Sequence, residues 1–169
     1  MDMTTPEPRV SVIIPVHNYA HTVGRAIDSV LNQDRKADEI IVVDDGSTDG
    51  LNNALKPYQG QIKIIKQKNK GVSEARNRGI RESKGDFICC LDADDELTTN
   101  FIGLTFNALN SDTGTGIAYP SLAIRQDGKM RAWHRPTEFD FEQLTKGNFI
   151  PCANLFRKQA WTRAGGYKN

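Results

Sequence analysis

Gly85-Asp86-Phe87-Ile88-Cys89-Cys90-Leu91-Asp92-Ala93-Asp94-Asp95 is the stretch on which the fold turns. An apolar run of strand length ends abruptly in three carboxylates, Asp92, Asp94 and Asp95. Asp is a poor strand former and is almost never buried without a partner, so a cluster at the end of a buried strand calls for a cation or hydrogen-bond donors beside it. Hard oxygen ligands with no neighbouring His suit Mg²⁺ or Mn²⁺ better than zinc. The plainer alternative is that Asp94 and Asp95 cap a helix near Thr98-Thr99.

Working outward, strands and helices alternate. Residues 10–15 read as a buried strand stopped by Pro15, and residues 21–31 carry Val23, Ala26, Ile27, Val30 and Leu31 at the spacing of a one-faced helix. Residues 39–44 form a second apolar strand before the turn-rich Asp45-Gly46-Ser47-Thr48-Asp49-Gly50, with a short helix over 51–55. A third strand is expected over 61–65, then a helix to about Ser83 with Ser73 as its N-cap, and a fourth strand over 86–91. This order predicts a mostly parallel sheet covered by helices on both faces, with ligands bound beyond the strand C-termini. In the second half the pattern gives a helix over 101–109, a strand over 117–124 and a hairpin turning at Asp127-Gly128.

The polar clusters after the strands are the candidate site. Pro15-Val16-His17-Asn18 follows strand one; as a simple turn it would use Asn18 to satisfy free backbone amides. Asp44-Asp45-Gly46-Ser47 follows strand two, and Asp44 continues the buried run, placed to accept N–H donors such as a uracil imide. Arg76 lies one helical turn from Ser73 and can reach the same edge, whereas Arg78 and the run Lys63, Lys66, Lys68 and Lys70 read as solvated charge.

With 169 residues, the chain suits one domain. A net charge of +1, from 22 basic and 21 acidic side chains, gives no field favouring nucleic acid or an anionic membrane. Three cysteines, two of them adjacent, make neither a disulfide framework nor a CxxC site, which fits a reducing, cytoplasmic setting. No apolar run approaches the roughly 18 residues of a membrane span. A GxGxxG after the first strand is lacking, which argues against dinucleotide binding.

Val10 to Asn18, Ile40 to Asp49 and Asn69 to Gly79 resemble, in order and spacing, the family-2 glycosyltransferases of GT-A fold, and Leu91-Asp92-Ala93-Asp94-Asp95 matches their DXD metal motif. The resemblance covers residues 9–97, a nucleotide-sugar-binding half. Phe149-Ile150 through Phe156-Arg157 and Gly165-Gly166-Tyr167 resemble, less specifically, the acceptor-side half over 98–169. It implies a Rossmann-like GT-A fold and transfer of a hexosyl or N-acetylhexosaminyl group from a UDP-sugar, with inversion and with Mn²⁺ or Mg²⁺. The acceptor could be a saccharide, a lipid-linked sugar or a protein, at the inner face of the membrane in a longer protein. Pro15, Val16, His17, Asp44 and Arg76 would surround the base, with Asn18, Asp45 and Ala93 beside them. Asp92 would meet the ribose or the sugar and could touch the metal, Asp94 would bind the metal, and Asp95 would support either.

The family's general base comes from an acidic pair after the Gly-Gly-aromatic segment, and this chain stops at Asn169. The expected base would then lie beyond Asn169 and the donor half alone could be inactive; Glu138, Asp140 and Glu142 match no such motif. Two other readings stay open. One is a nucleotide-diphosphate-binding fragment without turnover; the other is a phosphatase of haloacid-dehalogenase type, whose strand-end Asp-x-Asp begins with a nucleophile.

Overall fold

A computed structural model describes residues 7–126, 129–133 and 139–168. The first half follows the expected alternation: β1 (Val10–Val16), α1 (Val23–Leu31), β2 (Glu39–Asp45), α2 (Leu51–Leu55), β3 (Lys63–Gln67), α3 (Val72–Glu82) and β4 (Phe87–Cys90). Then come α4 (Phe101–Ser111), β5 (Ile117–Ala118), β6 (Leu122–Gln126), β7 (Lys129–Trp133), α5 (Phe141–Lys146), β8 (Leu155–Arg157) and α6 (Lys158–Ala164). The main sheet has the order β3-β2-β1-β4-β8-β5. β1 to β4 run parallel, and β8 is antiparallel to both β4 and β5.

Each central strand divides its side chains between two cores, as the two-residue period of a strand requires. Val10, Val12, Ile14 and Val16 of β1 pack with α1 and α4, as do Ile40 and Val42 of β2 and Phe87 and Cys89 of β4. Ile13, Ile41, Val43, Ile88 and Cys90 face the other way, against Ala75 and Ile80 of α3 and Trp161 of α6. α1 buries Val23, Ala26, Ile27 and Val30, the apolar stripe anticipated from its spacing. Leu91 and Ala93 stay in the core on the α1 face, so Asp92 between them falls on the α3 face with Ile88 and Cys90.

Five expectations change. β1 does not stop at Pro15 but runs to Val16, because pairing with β4 ends at Ile13 while pairing with β2 continues to Val16↔Asp44, so the missing proline N–H interrupts no ladder. β3 begins two residues later than the expected 61–65, because Gln61 still closes a turn with its amide on Tyr58. The expected strand over 117–124 breaks at Tyr119-Pro120-Ser121, where proline has no N–H for a ladder; its first part joins the main sheet and its second pairs with β7. β8, three residues long, was not anticipated and makes the sheet mixed. α3 is capped at Gly71, not Ser73, whose hydroxyl donates instead to the Lys168 carbonyl at 2.9 Å. The hairpin's Asp127-Gly128 turn lies outside the described residues. Among the described residues no helix is long and apolar enough to cross a membrane.

Candidate functional site

The register Val16↔Asp44 and Ile13↔Cys90 brings the ends of β1, β2 and β4 to one edge of the sheet. Side-chain alternation then sorts the carboxylates. Asp44 points with Ile40 and Val42, and its Oδ1 accepts the Ser47 amide at 2.8 Å. Asp45 points with Ile41 and Val43 toward α3. Its Oδ1 accepts the Gln67 side-chain amide at 2.8 Å and the Lys70 N–H at 2.9 Å, and its Oδ2 accepts the Gly71 N–H at 2.9 Å. One buried carboxylate thereby fixes the whole loop between β3 and α3, and the accepted amides compensate its burial.

The loop so held forms one wall of the site. His17 Nδ1 lies 2.9 Å from the Asp45 carbonyl, which can only accept, so Nδ1 carries a proton; Nε2 then accepts from the Asn69 side-chain amide at 3.0 Å. Gly46, at φ +77°, lets the strand-two turn pass this wall: a Cβ there would stand 2.9 Å from the Asn69 nitrogen. Asn18, at φ 61°, accepts the Thr48 amide at 2.8 Å through Oδ1. It does satisfy a backbone amide, though one in the loop after β2 rather than in the helix it precedes.

On the other side Arg76 reaches from α3 to the end of β4, its terminal nitrogen 2.6 Å from Asp92 Oδ1. Burial opposes the guanidinium charge, but the hydrogen bond and the charge of Asp92 outweigh it, and the Arg76 pKa is raised. The same nitrogen stands 3.2 Å from Cys152 Sγ. Arg76 is 9% exposed, and its Nε is buried without a hydrogen-bond partner among the described residues. A buried unpaired donor of this kind is costly and suits a site that receives an acceptor.

Between the two walls lies a cleft of about 500 Å³. Of the residues singled out from the sequence, Pro15, Val16, His17, Asp45, Arg76, Asp92, Ala93 and Asp94 line it. Asn18, Asp44 and Asp95 are not among its lining residues. Tyr19, Asn69, Gly71, Val72 and Ala75 line it and were not anticipated in this role. The start of α3 thus opens into the cleft, where free N–H groups and the helix dipole favour an anion. Of the second-half acids, Asp140 caps α5 by accepting the Gln143 amide at 3.1 Å, and Glu142 pairs with Lys146 at 2.6 Å. Glu138 lies outside the described residues.

Among the described residues no group of three or more His, Cys, Asp or Glu side chains is arranged to hold a metal. Mg²⁺ sites that also hold a phosphate need only one or two protein carboxylates, and the site meets that smaller requirement. Asp94 is exposed at the cleft, while Asp92 is committed to Arg76. The Asp95 carboxyl is raised by partial burial and then by the charges of Asp92 and Asp94, its carboxylate neighbours after β4. The donor set therefore fits a hard divalent cation.

Comparison with known proteins agrees with this architecture. A family profile described as Glycosyl transferase family 2 matches residues 11–166. The chain is 29% identical over 166 residues to a chondroitin synthase of Escherichia coli, covering 95% of this chain and 24% of that one. Among solved structures, TarS residues 1–349 of S. aureus in complex with UDP superposes with TM-score 0.76 at 18% identity, covering 95% of this chain and 50% of the other. The mannosyltransferase PcManGT of Pyrobaculum calidifontis, in complex with GDP-Man and Mn²⁺, gives TM-score 0.70 at 22% identity, covering 97% and 48%. The chain thus spans about half or less of the length of these relatives. The mixed sheet flanked by helices is the GT-A fold, and the chain belongs to glycosyl transferase family 2.

Proposed function

We propose that the cleft binds the nucleotide diphosphate of a UDP-sugar with Mn²⁺ or Mg²⁺, as part of an enzyme that transfers the sugar to an acceptor hydroxyl with inversion. The observation that carries the reading is the placement of Arg76, Asp92 and Asp94 at one end of the cleft, opposite the wall of His17, Asn69 and Asp45. The UDP and GDP-Man–Mn²⁺ complexes of the fold relatives support it. The base lies against Pro15, Val16 and His17. Asp45, which lines the cleft where Asp44 does not, stands nearer the base edge and acts there by holding the loop that its two oxygens fix. Asp94 holds the cation, with Asp92 and Asp95 supporting it. Once bound, the cation neutralises charge developing on the departing diphosphate. The chain's own residues supply the rest: the α3 N-terminus and Arg76 face the anion, and the loop fixed by Asp45 orients the nucleoside.

In the transfer the bond from the anomeric carbon to the diphosphate oxygen breaks, and a bond to the acceptor oxygen forms on the opposite face. A base on the acceptor side takes the hydroxyl proton. The haloacid-dehalogenase reading loses its footing here, because Asp92 would have to be a free nucleophile and is ion-paired at 2.6 Å. The test is UDP release from a panel of UDP-sugars with mixed saccharide, lipid-linked and peptide acceptors. Acceptor-dependent release that disappears in Asp94→Ala supports the reading. UDP binding without release would leave a nucleotide-binding module, and neither binding nor release would contradict it.

A further inference from the structure

Asn77 is turned away from the cleft, yet its side chain carries more of the second half of the molecule than any contact of Arg76 does. It is 8% exposed on α3, next to Arg76. Its Oδ1 accepts from Trp161 Nε1 at 3.1 Å and from the Tyr167 backbone N–H at 2.9 Å, while its Nδ2 donates to the Tyr167 carbonyl at 2.9 Å. Ser73, one turn earlier, donates to the Lys168 carbonyl at 2.9 Å. The segment after α6 is thus laid along α3 by main-chain contacts. Gly166, at φ +79°, makes the approach possible: a Cβ there would stand 2.9 Å from Asn77 Oδ1.

The segment delivers one side chain to the site. The Tyr167 ring lies beside the Arg76 guanidinium, 5.4 Å from carbon to ring centroid, and packs against the core that holds Cys90 at the end of β4. Arg76 is therefore held between Asp92 in front and Tyr167 behind. We propose that Asn77 is a positioning residue: by clasping the Gly165-Gly166-Tyr167 segment it sets Tyr167 behind Arg76 and so holds the guanidinium toward the nucleotide. The inference rests on the nucleotide-binding reading above and adds a device by which the second half of the chain tunes the first.

A double-mutant cycle separates positioning from plain stabilisation, because residues that act through one another are not additive. Calorimetry with UDP and Mn²⁺ is run on the parent, Asn77→Leu, Arg76→Ala and the pair. Asn77→Leu should weaken binding roughly tenfold in the parent and less than about twofold in the Arg76→Ala background. Equal losses in both backgrounds, or none in the parent, overturn the proposal. A second readout needs no nucleotide. Cys89 and Cys90 are buried and Cys152 is exposed, so an aromatic disulfide reagent reports Cys152, whose sulfur lies 3.2 Å from the Arg76 nitrogen. Loosening Arg76 withdraws the positive charge and hydrogen bond that favour the Cys152 thiolate, so it should slow that reaction several-fold in Asn77→Leu and less in Asn77→Asp, which keeps both accepted bonds. An unchanged rate overturns the clasp whatever the nucleotide does. If the parent binds no UDP, the proposed function falls and the thiol rate alone decides the clasp. Should Asn77→Leu fail to fold, by circular dichroism, Asn77→Asp and Ser73→Ala carry both measurements.

Discussion

The Arg76 guanidinium and the Asp92 carboxylate meet at 2.6 Å, joining α3 to the segment after β4 at one end of the cleft. The arginine side chain is 11% exposed and the aspartate 31%, so the pair is largely withdrawn from water. Removing one member leaves the other charge without its partner, which is strongly destabilising in buried pairs. Arg76→Ala should therefore cost about 2 kcal/mol or more, and Asp92→Asn, which keeps an acceptor oxygen, should cost less than Asp92→Ala. Urea unfolding of the three variants checks the order; equal midpoints for all three would contradict it.

Asp45 offers a second prediction, since its two oxygens accept three N–H groups, one from the end of β3 and two from the loop before α3. Asp45→Asn swaps one acceptor oxygen for an NH₂ that confronts a backbone N–H. The loss should be about 1.5–3 kcal/mol, the scale of hydrogen bonds to a charged group. Hydrogen exchange should then rise at Lys70 and Gly71 before it rises in β1 or β2. Exchange that rises uniformly would show that the loop is not held locally.

That Asp45 and not Asp44 borders the cleft also shows where sequence reading stops. The run Ile40-Ile41-Val42-Val43-Asp44-Asp45 plainly announces a buried strand ending in acids, and its two-residue period says that the acids face opposite ways. Which face carries α3 depends on how the helices pack, and no local pattern holds that information. Asn69 was missed for the same reason, as a loop residue brought to the cleft by its contact with the distant His17. β8 was missed because Leu155-Phe156-Arg157 is too short to display a period. By contrast, β1, β2, β4 and the stripe of α1 were legible because burial on both sheet faces demands continuous apolar runs.

Close packing predicts a steep cost at Gly79. A Cβ on this α3 residue would stand 2.3 Å from Ile13 Cγ2 and 3.1 Å from Val43 Cγ2, so the helix would have to lift from the sheet. Gly79→Ala should destabilise by about 1–3 kcal/mol despite the better helix propensity of alanine. Gly147→Ala is the control, with nothing near its added carbon and an extended backbone. Thermal melts in which the two variants match would refute the helix–sheet contact.

Asp112 gives a pH dependence with a defined sign. Its carboxylate is held below the usual range by the Thr115 hydroxyl at 2.5 Å and then by the Gly114 amide at 2.8 Å. A depressed folded-state pKa means a stabilising contribution that is present above the unfolded-state pKa and lost as pH falls through the folded value. Asp112→Ala should thus lower the melting temperature at neutral pH and cost less and less as the pH is lowered through the carboxylate range. A difference independent of pH would assign the effect to turn geometry rather than charge.

The central claim is that the carboxylates after β4 and the walls of the cleft bind a nucleotide diphosphate together with a divalent cation. Titration calorimetry with UDP, with Mn²⁺ present and after chelation, tests it most directly in the parent and in Asp94→Ala. Removing a hard cation from between a diphosphate and a carboxylate should weaken binding by several kcal/mol, on the order of a hundredfold or more in affinity. The account predicts that chelation and Asp94→Ala each produce this loss and that the two are not additive. Affinity that survives chelation unchanged, or an Asp94→Ala chain that binds as the parent does, would contradict it.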